Sequence, residues 1–98
     1  MKSRLHTRQI TFRQLEIFKT VADLGSVTQA AARLHLGQPT VSTQLAKLEE
    51  ALGLALFERS GRQIVLTDAG QDVRQSIRRI FDGLDDLEAC LDQRMGLR

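Results

Sequence analysis

Gly37-Gln38-Pro39-Thr40-Val41-Ser42-Thr43-Gln44-Leu45-Ala46-Lys47-Leu48 is the stretch that decides the fold. Pro39 is the only proline of the chain. At the first position of a helix its missing N–H costs no hydrogen bond, so the spacing predicts a helix from about 39 to 51, with Gly53 as its stop. Val41, Leu45, Leu48 and Leu52 form one apolar stripe along it. Burying that stripe turns Gln38, Thr40, Ser42, Thr43 and Lys47 outward. These are short hydrogen-bonding groups at the positive end of a helix, followed by a cation one turn on. A helix laid in a major groove needs that arrangement, because short polar groups reach base edges and phosphates. On an isolated helix the same residues would be an ordinary solvated face. The neighbouring segments decide between the two.

Upstream, Thr11-Phe12-Arg13-Gln14 has the Thr-x-x-Gln form of a capping box, with Ile10 and Leu15 at the hydrophobic-staple positions. Leu15, Phe18 and Ala22, with Ile17, Val21 and Leu24 beside them, follow helical spacing until Gly25. Ser26-Val27-Thr28-Gln29 opens a second helix, rich in alanine (Ala30, Ala31, Ala32), that should end near Leu36-Gly37. Two short helices, a tight junction and the Gln-Pro helix make a helix-turn-helix. Ala31 fills the small crossing position, Leu34, Leu36 and Val41 bracket the turn, and Leu45 anchors the second helix. His35 reads as a half-exposed turn residue.

Downstream the period changes. Leu56–Arg59 and Gln63–Leu66 are short and β-prone around Ser60-Gly61-Arg62, which predicts a hairpin. Arg59, Ser60 and Arg62 then sit on a wing that could set guanidinium groups against phosphates or in a minor groove. From Thr67, a good N-cap, a helical pattern runs to about Met95. Val73, Ile77, Ile80, Leu84, Leu87 and Leu91 are separated by 4, 3, 4, 3 and 4 residues, the spacing of a coiled-coil seam. Arg74, Arg78 and Arg79 occupy the first half of the helix, and Asp82, Asp85, Asp86, Glu88 and Asp92 the second. Antiparallel helices set basic against acidic. The implied homodimer pairs Val73 with the partner's Leu91, Ile77 with Leu87 and Ile80 with Leu84. That register brings Arg74 towards the partner's Glu88, Phe81 towards its own copy and Gly83 against Gly83, about an axis near position 82. The alternative, part of the seam lying on its own domain, is open at this point.

Ninety-eight residues allow one compact domain with a helical extension. The net charge of +2 is uneven: residues 1–70 carry nine Lys/Arg against six Asp/Glu, residues 71–98 five against six. The single cysteine, Cys90, excludes an intrachain disulfide, and two isolated histidines offer no metal set, so no metal and no cofactor are expected. No run approaches a membrane span, no secretory h-region follows the basic start, and a cytoplasmic protein is expected. No catalytic constellation and no Gly-rich phosphate loop can be assembled, which argues against an enzyme. A chain spending its residues on helices and a wing is expected to have no ligand pocket of about 300 Å³.

From Phe12 to Gly70 the chain closely resembles the DNA-binding domain of LysR-type transcriptional regulators. Phe12-Arg13-Gln14-Leu15 with Phe18, and Gly25-Ser26 with Ala31-Ala32 and Leu34, resemble that family's first two helices. Gln38-Pro39-Thr40-Val41-Ser42, Gln44-Leu45, Leu48-Glu49, Leu52-Gly53, Leu56-Phe57 and Arg59 are similar to its most distinctive block, and Thr67-Asp68-Ala69-Gly70 to the start of its linker helix. The resemblance implies a mostly α winged helix-turn-helix that binds an interrupted palindrome near a promoter as a dimer, with RNA polymerase as a further partner of the full-length protein. It also implies an effector-binding domain, which these residues do not contain. Gly37 stands where a Ser or Thr is common, His35 where many members have glycine, and Thr43 where many have arginine.

The expected organisation is a basic arm over 1–9, a winged helix-turn-helix over 10–66, a dimerisation helix over 67–95 and a tail over 96–98. The expected DNA-contacting set is Gln29, Gln38, Pro39, Thr40, Ser42, Thr43, Lys47, Arg59, Ser60 and Arg62. The expected dimer set is Val73, Ile77, Ile80, Phe81, Leu84, Leu87 and Leu91. The rival reading is a protein-docking module whose helix-turn-helix is vestigial.

Overall fold

The computed structural model describes residues 9–61 and 63–96. In chain order they form α1 (Phe12–Leu24), α2 (Val27–Leu34), α3 (Gln38–Leu52), β1 (Phe57–Ser60), β2 (Gln63–Leu66) and α4 (Asp68–Arg94). The expected basic arm lies outside the described residues except for Gln9.

The α1 capping box forms in both directions: Gln14 N donates to Thr11 Oγ1, and Thr11 N to Gln14 Oε1, each at 3.1 Å. Ser26 caps α2 by accepting from Gln29 N at 3.0 Å, but Gln29's side chain is exposed and does not complete a box. The second helix ends earlier than expected, at Leu34. The cause is His35, which takes the left-handed conformation (φ 57°, ψ 42°) and directs Leu36 N to Ala31 O at 2.9 Å. This is the Schellman closure, which usually employs glycine. His35 is exposed, not half-exposed.

Ile17, Phe18 and Val21 of α1, Ala30 and Ala31 of α2, and Val41, Leu45 and Leu48 of α3 close one core. Their small and branched faces bring the three helices together, and Ala31 fills the crossing position the spacing assigned to it. Leu56, expected to begin the hairpin, is instead a fully buried core residue just before it. Its N–H donates to the Glu49 carboxylate at 2.7 Å, and Phe57 N follows at 3.3 Å, so one acid on α3 holds the entry to the wing. The hairpin is antiparallel, pairing Phe57 with Leu66 and Ser60 with Gln63.

Thr67 docks α4. Its hydroxyl donates to Ala55 O at 2.7 Å and accepts from Gly70 N at 2.9 Å, while its N–H donates to Leu56 O at 3.0 Å. A Cβ on Gly70 would lie 2.1 Å from Leu56 O, so only glycine permits this approach. The first turns of α4 rest on the body through Val73 and Ile77, and Phe81 stacks against Phe12 with ring centroids 5.1 Å apart. Arg74 donates to Asp23 at 2.7 Å, and Lys19 reaches the other oxygen of that carboxylate at 3.1 Å. Burial would raise the Asp23 carboxyl, but the hydrogen bonds and charges of Arg74 and Lys19 outweigh it and hold the group below the ordinary carboxylate value. Beyond Phe81 the helix leaves the body. No helix among the described residues is long and apolar enough to cross a membrane.

Candidate nucleic-acid interface

Burial of Val41, Leu45 and Leu48 leaves Gln38, Pro39, Thr40, Ser42, Thr43 and Lys47 exposed on one continuous side of α3. Gly37 supplies no side-chain cap at the start of this helix. Orphan N–H groups of its first turn and the positive end of its dipole are therefore available to an anion. Gln29 is exposed on α2, and Arg59 and Ser60 are exposed on the wing. Arg62 lies outside the described residues. A polar cleft of about 170 Å³ joins the start of α2, the start of α3 and the wing, and brings Gln38, Arg59 and Gln63 to one place. Folding thus gathers residues 25–28, 38, 59, 63 and 64 onto one side of the body. Two contributors had no separate signal in the sequence. Gln63 reads only as a strand residue, and Glu49, which positions the wing, enters only within the Leu48-Glu49 pair of the family resemblance, with no sign of its role.

The expected dimer set divides. Ile77 is 4% exposed and belongs to the domain's own core, with Val73 and Phe81 packed partly against it. Ile80, Leu84, Leu87 and Leu91 remain exposed. Arg74, placed by the register near a partner's Glu88, is engaged by Asp23 of its own chain. The expectation that no cavity reaches ligand size is also corrected. An apolar groove of about 440 Å³ lies between the start of α1, the end of α3 and α4, lined by Ile10, Leu15, Leu52, Asp72, Val73, Ser76, Ile77 and Ile80.

Residues 12–71 match the model of the bacterial regulatory helix-turn-helix proteins, lysR family. The RuBisCO operon transcriptional regulator of Allochromatium vinosum is 46% identical over 88 residues, 90% of this chain and 29% of that protein. The HTH-type transcriptional activator CmpR of Synechocystis sp. is 42% identical over 91 residues, 93% of this chain and 30% of that protein. The chain thus spans less than a third of the length of these relatives. Among solved structures, the BenM DNA-binding domain bound to catB site 1 DNA superposes with a TM-score of 0.82 at 30% identity, covering 88% of this chain and 97% of that one. The CbnR DNA-binding domain in its DNA complex superposes with a TM-score of 0.76 at 39% identity, covering 91% and 100%. Three helices closed around Ala31, a wing held by Glu49 and a linker helix seated on Gly70 accompany a sequence match running through all of them, and the chain belongs to the lysR family of bacterial regulatory helix-turn-helix proteins.

Proposed function

We propose that this chain binds double-stranded DNA sequence-specifically as a homodimer, as the DNA-binding part of a regulator of promoter activity. The observation that carries the reading is the exposed, polar, side-chain-uncapped N-terminal half of α3 on a winged helix-turn-helix body. In this reading α3 enters the major groove with Gln38, Pro39, Thr40, Ser42 and Thr43 at base edges and Lys47 at a phosphate. Gln29, Arg59, Ser60 and Arg62 hold the flanking backbone or a minor groove. The DNA complexes of the BenM and CbnR domains support it.

The dimer follows from the apolar surface that α4 leaves uncovered. Ile80, Leu84, Leu87 and Leu91 line one side of a helix about 40 Å long that the body covers only in its first turns. In the antiparallel register the partner's Leu87 and Leu91 lie opposite Ile77 and Val73, over the apolar groove of about 440 Å³. Two leucine side chains suit its size and chemistry better than a charged or polar metabolite. A two-fold dimer presents two copies of α3 to two half-sites, hence an interrupted palindrome.

The test is selection of duplexes from a randomised pool, followed by titration at two salt concentrations. The expected result is a palindromic consensus bound with steep salt dependence. Recovery of no consensus, with affinity indifferent to salt, would overturn the reading in favour of a protein-docking module.

A further inference from the structure

Gln14 is 4% exposed, the one polar side chain buried with the core among the described residues. It has two jobs. Its Oε1 accepts from Thr11 N, and its Nε2 donates to Gln44 Oε1 on α3, both at 3.1 Å. The polarity of this chain of bonds is dictated from its first member. A backbone N–H can only donate, so Gln14 must face Thr11 with its oxygen and Gln44 with its NH₂. An NH₂ offers no acceptor, so Gln44 must turn its own oxygen inward. Two amide orientations that are free on an isolated glutamine are therefore set by one backbone amide. That leaves the NH₂ of Gln44 without a part in the relay, and Gln44 lines an open polar groove of about 450 Å³ at the edge of the exposed side of α3, together with Thr11, Lys47 and Glu50.

We propose that Gln44 is a DNA-contacting residue presented as a hydrogen-bond donor only, and that Gln14 is the positioning residue that sets this polarity. The inference rests on the reading that α3 meets DNA. A glutamine free at both ends makes the bidentate pair with adenine, donating to N7 and accepting from N6. With its carbonyl held inward, Gln44 cannot make that pair. Its target is an acceptor on DNA: a phosphate oxygen, the N7 of a purine, the O6 of guanine or the O4 of thymine. Lys47 beside it also has only protons to give, and Glu50, the acid that lines the groove one turn beyond Lys47's neighbour Ala46, accepts only, so the donors of this edge are Gln44 and Lys47.

The relay is tested first without DNA, by solvent exchange of the glutamine side-chain amide protons in the wild-type protein. Slow exchange at Gln14 and fast exchange at Gln44 is expected; fast exchange at Gln14 would overturn the relay. Gln14→Glu then keeps an acceptor for Thr11 but has no proton for Gln44, whose amide must turn over and offer its oxygen outward. On the duplex that the wild-type protein selects from a random pool, Gln44→Ala should bind about tenfold more weakly. Gln14→Glu should lose at least as much, yet cost less than about threefold when added to Gln44→Ala. Equal losses in both backgrounds would assign its effect to charge and overturn the positioning role. A Gln44→Ala loss shared by selected and scrambled duplexes assigns the target to phosphate, and a loss confined to the selected duplex assigns it to a base edge. No loss on either overturns the contact. A wild-type protein that selects no duplex overturns the α3 reading itself, and the contact with it, whatever the exchange rates show. Should Gln14→Glu not fold, the wild-type exchange and the Gln44→Ala titrations still decide the relay and the contact.

Discussion

Replacing Gly70 by alanine should cost this domain far more than a glycine-to-alanine change in a helix normally does. In an exposed helix interior the change gains up to about 1 kcal/mol, because alanine loses less backbone entropy. At Gly70 the added Cβ would sit 2.1 Å from the carbonyl oxygen of Leu56 and 2.9 Å from a Leu66 methyl. A carbon and an oxygen need about 3.2 Å between them, so α4 and the 55–57 segment must part by roughly 1 Å. That segment is fully buried at Leu56 and cannot yield without cost. Parting stretches the bonds from Thr67 N to Leu56 O at 3.0 Å and from Thr67 Oγ1 to Ala55 O at 2.7 Å, each worth about 1 kcal/mol. Overpacking adds about 1–3 kcal/mol. Less the propensity gain, the net loss is about 2–4 kcal/mol. For a domain of this size that lowers Tm by roughly 10–25 °C. Urea and thermal unfolding followed by far-UV circular dichroism measure it. A Gly70→Ala protein melting within 2 °C of wild type would refute the reasoning, since it would mean that α4 is not seated against Leu56.

Four further outcomes are expected. His35→Gly should raise stability by about 0.5–1 kcal/mol, because His35 holds φ 57° and glycine pays no Cβ penalty there; an unchanged or lower unfolding midpoint would contradict this. Arg59→Ala and Arg62→Ala should each weaken selected and scrambled duplexes alike and flatten the salt slope by roughly one unit, whereas Ser42 or Thr43 variants should change preference among sequences; unaltered slopes would remove the wing from the backbone. Mild oxidation should leave the wild-type dimer uncross-linked and should link a Ser76→Cys variant through the partner's exposed Cys90; efficient linkage of Cys90 to its own copy within a dimer would mean parallel helices. Asp23 is held below the ordinary carboxylate value, so the stability from its pairing with Arg74 is fully present above the unfolded value of about 3.9 and fades as pH falls through the lower folded value. Asp23→Asn should therefore flatten the acid limb of Tm measured from pH 5 to pH 2, and an unaltered limb would show that the pair does not couple α1 to α4.

How far the sequence reaches can be seen residue by residue. Thr11 with Gln14, Ser26, Pro39, Gly53 and Thr67 announce helix ends because capping is a transaction between residues three or four apart, and such partners are visible in one line of text. The stripe Val41, Leu45 and Leu48 likewise settled which side of α3 is exposed, since the helical period alone fixes which side chains lie opposite a buried one. The apolar pattern extends α2 to Leu36, whereas the left-handed turn at His35 closes the helix at Leu34, and nothing in the local pattern marks a histidine for that conformation.

Tertiary structure alone decided the partition of the α4 seam. A 4-3-4-3 repeat states that one stripe is covered but not by what, and only the seating of α4 on the body from Gly70 onward buries Ile77 in its own core while leaving Ile80, Leu84, Leu87 and Leu91 uncovered. The same holds for Gln14. Its oxygen answers a local signal three residues away, but its NH₂ meets Gln44 thirty residues on, and Glu49 reaches Leu56 and Phe57 across a turn. Hydrogen bonds across such gaps depend on where packing sets two backbones, and no periodicity in the chain records that distance.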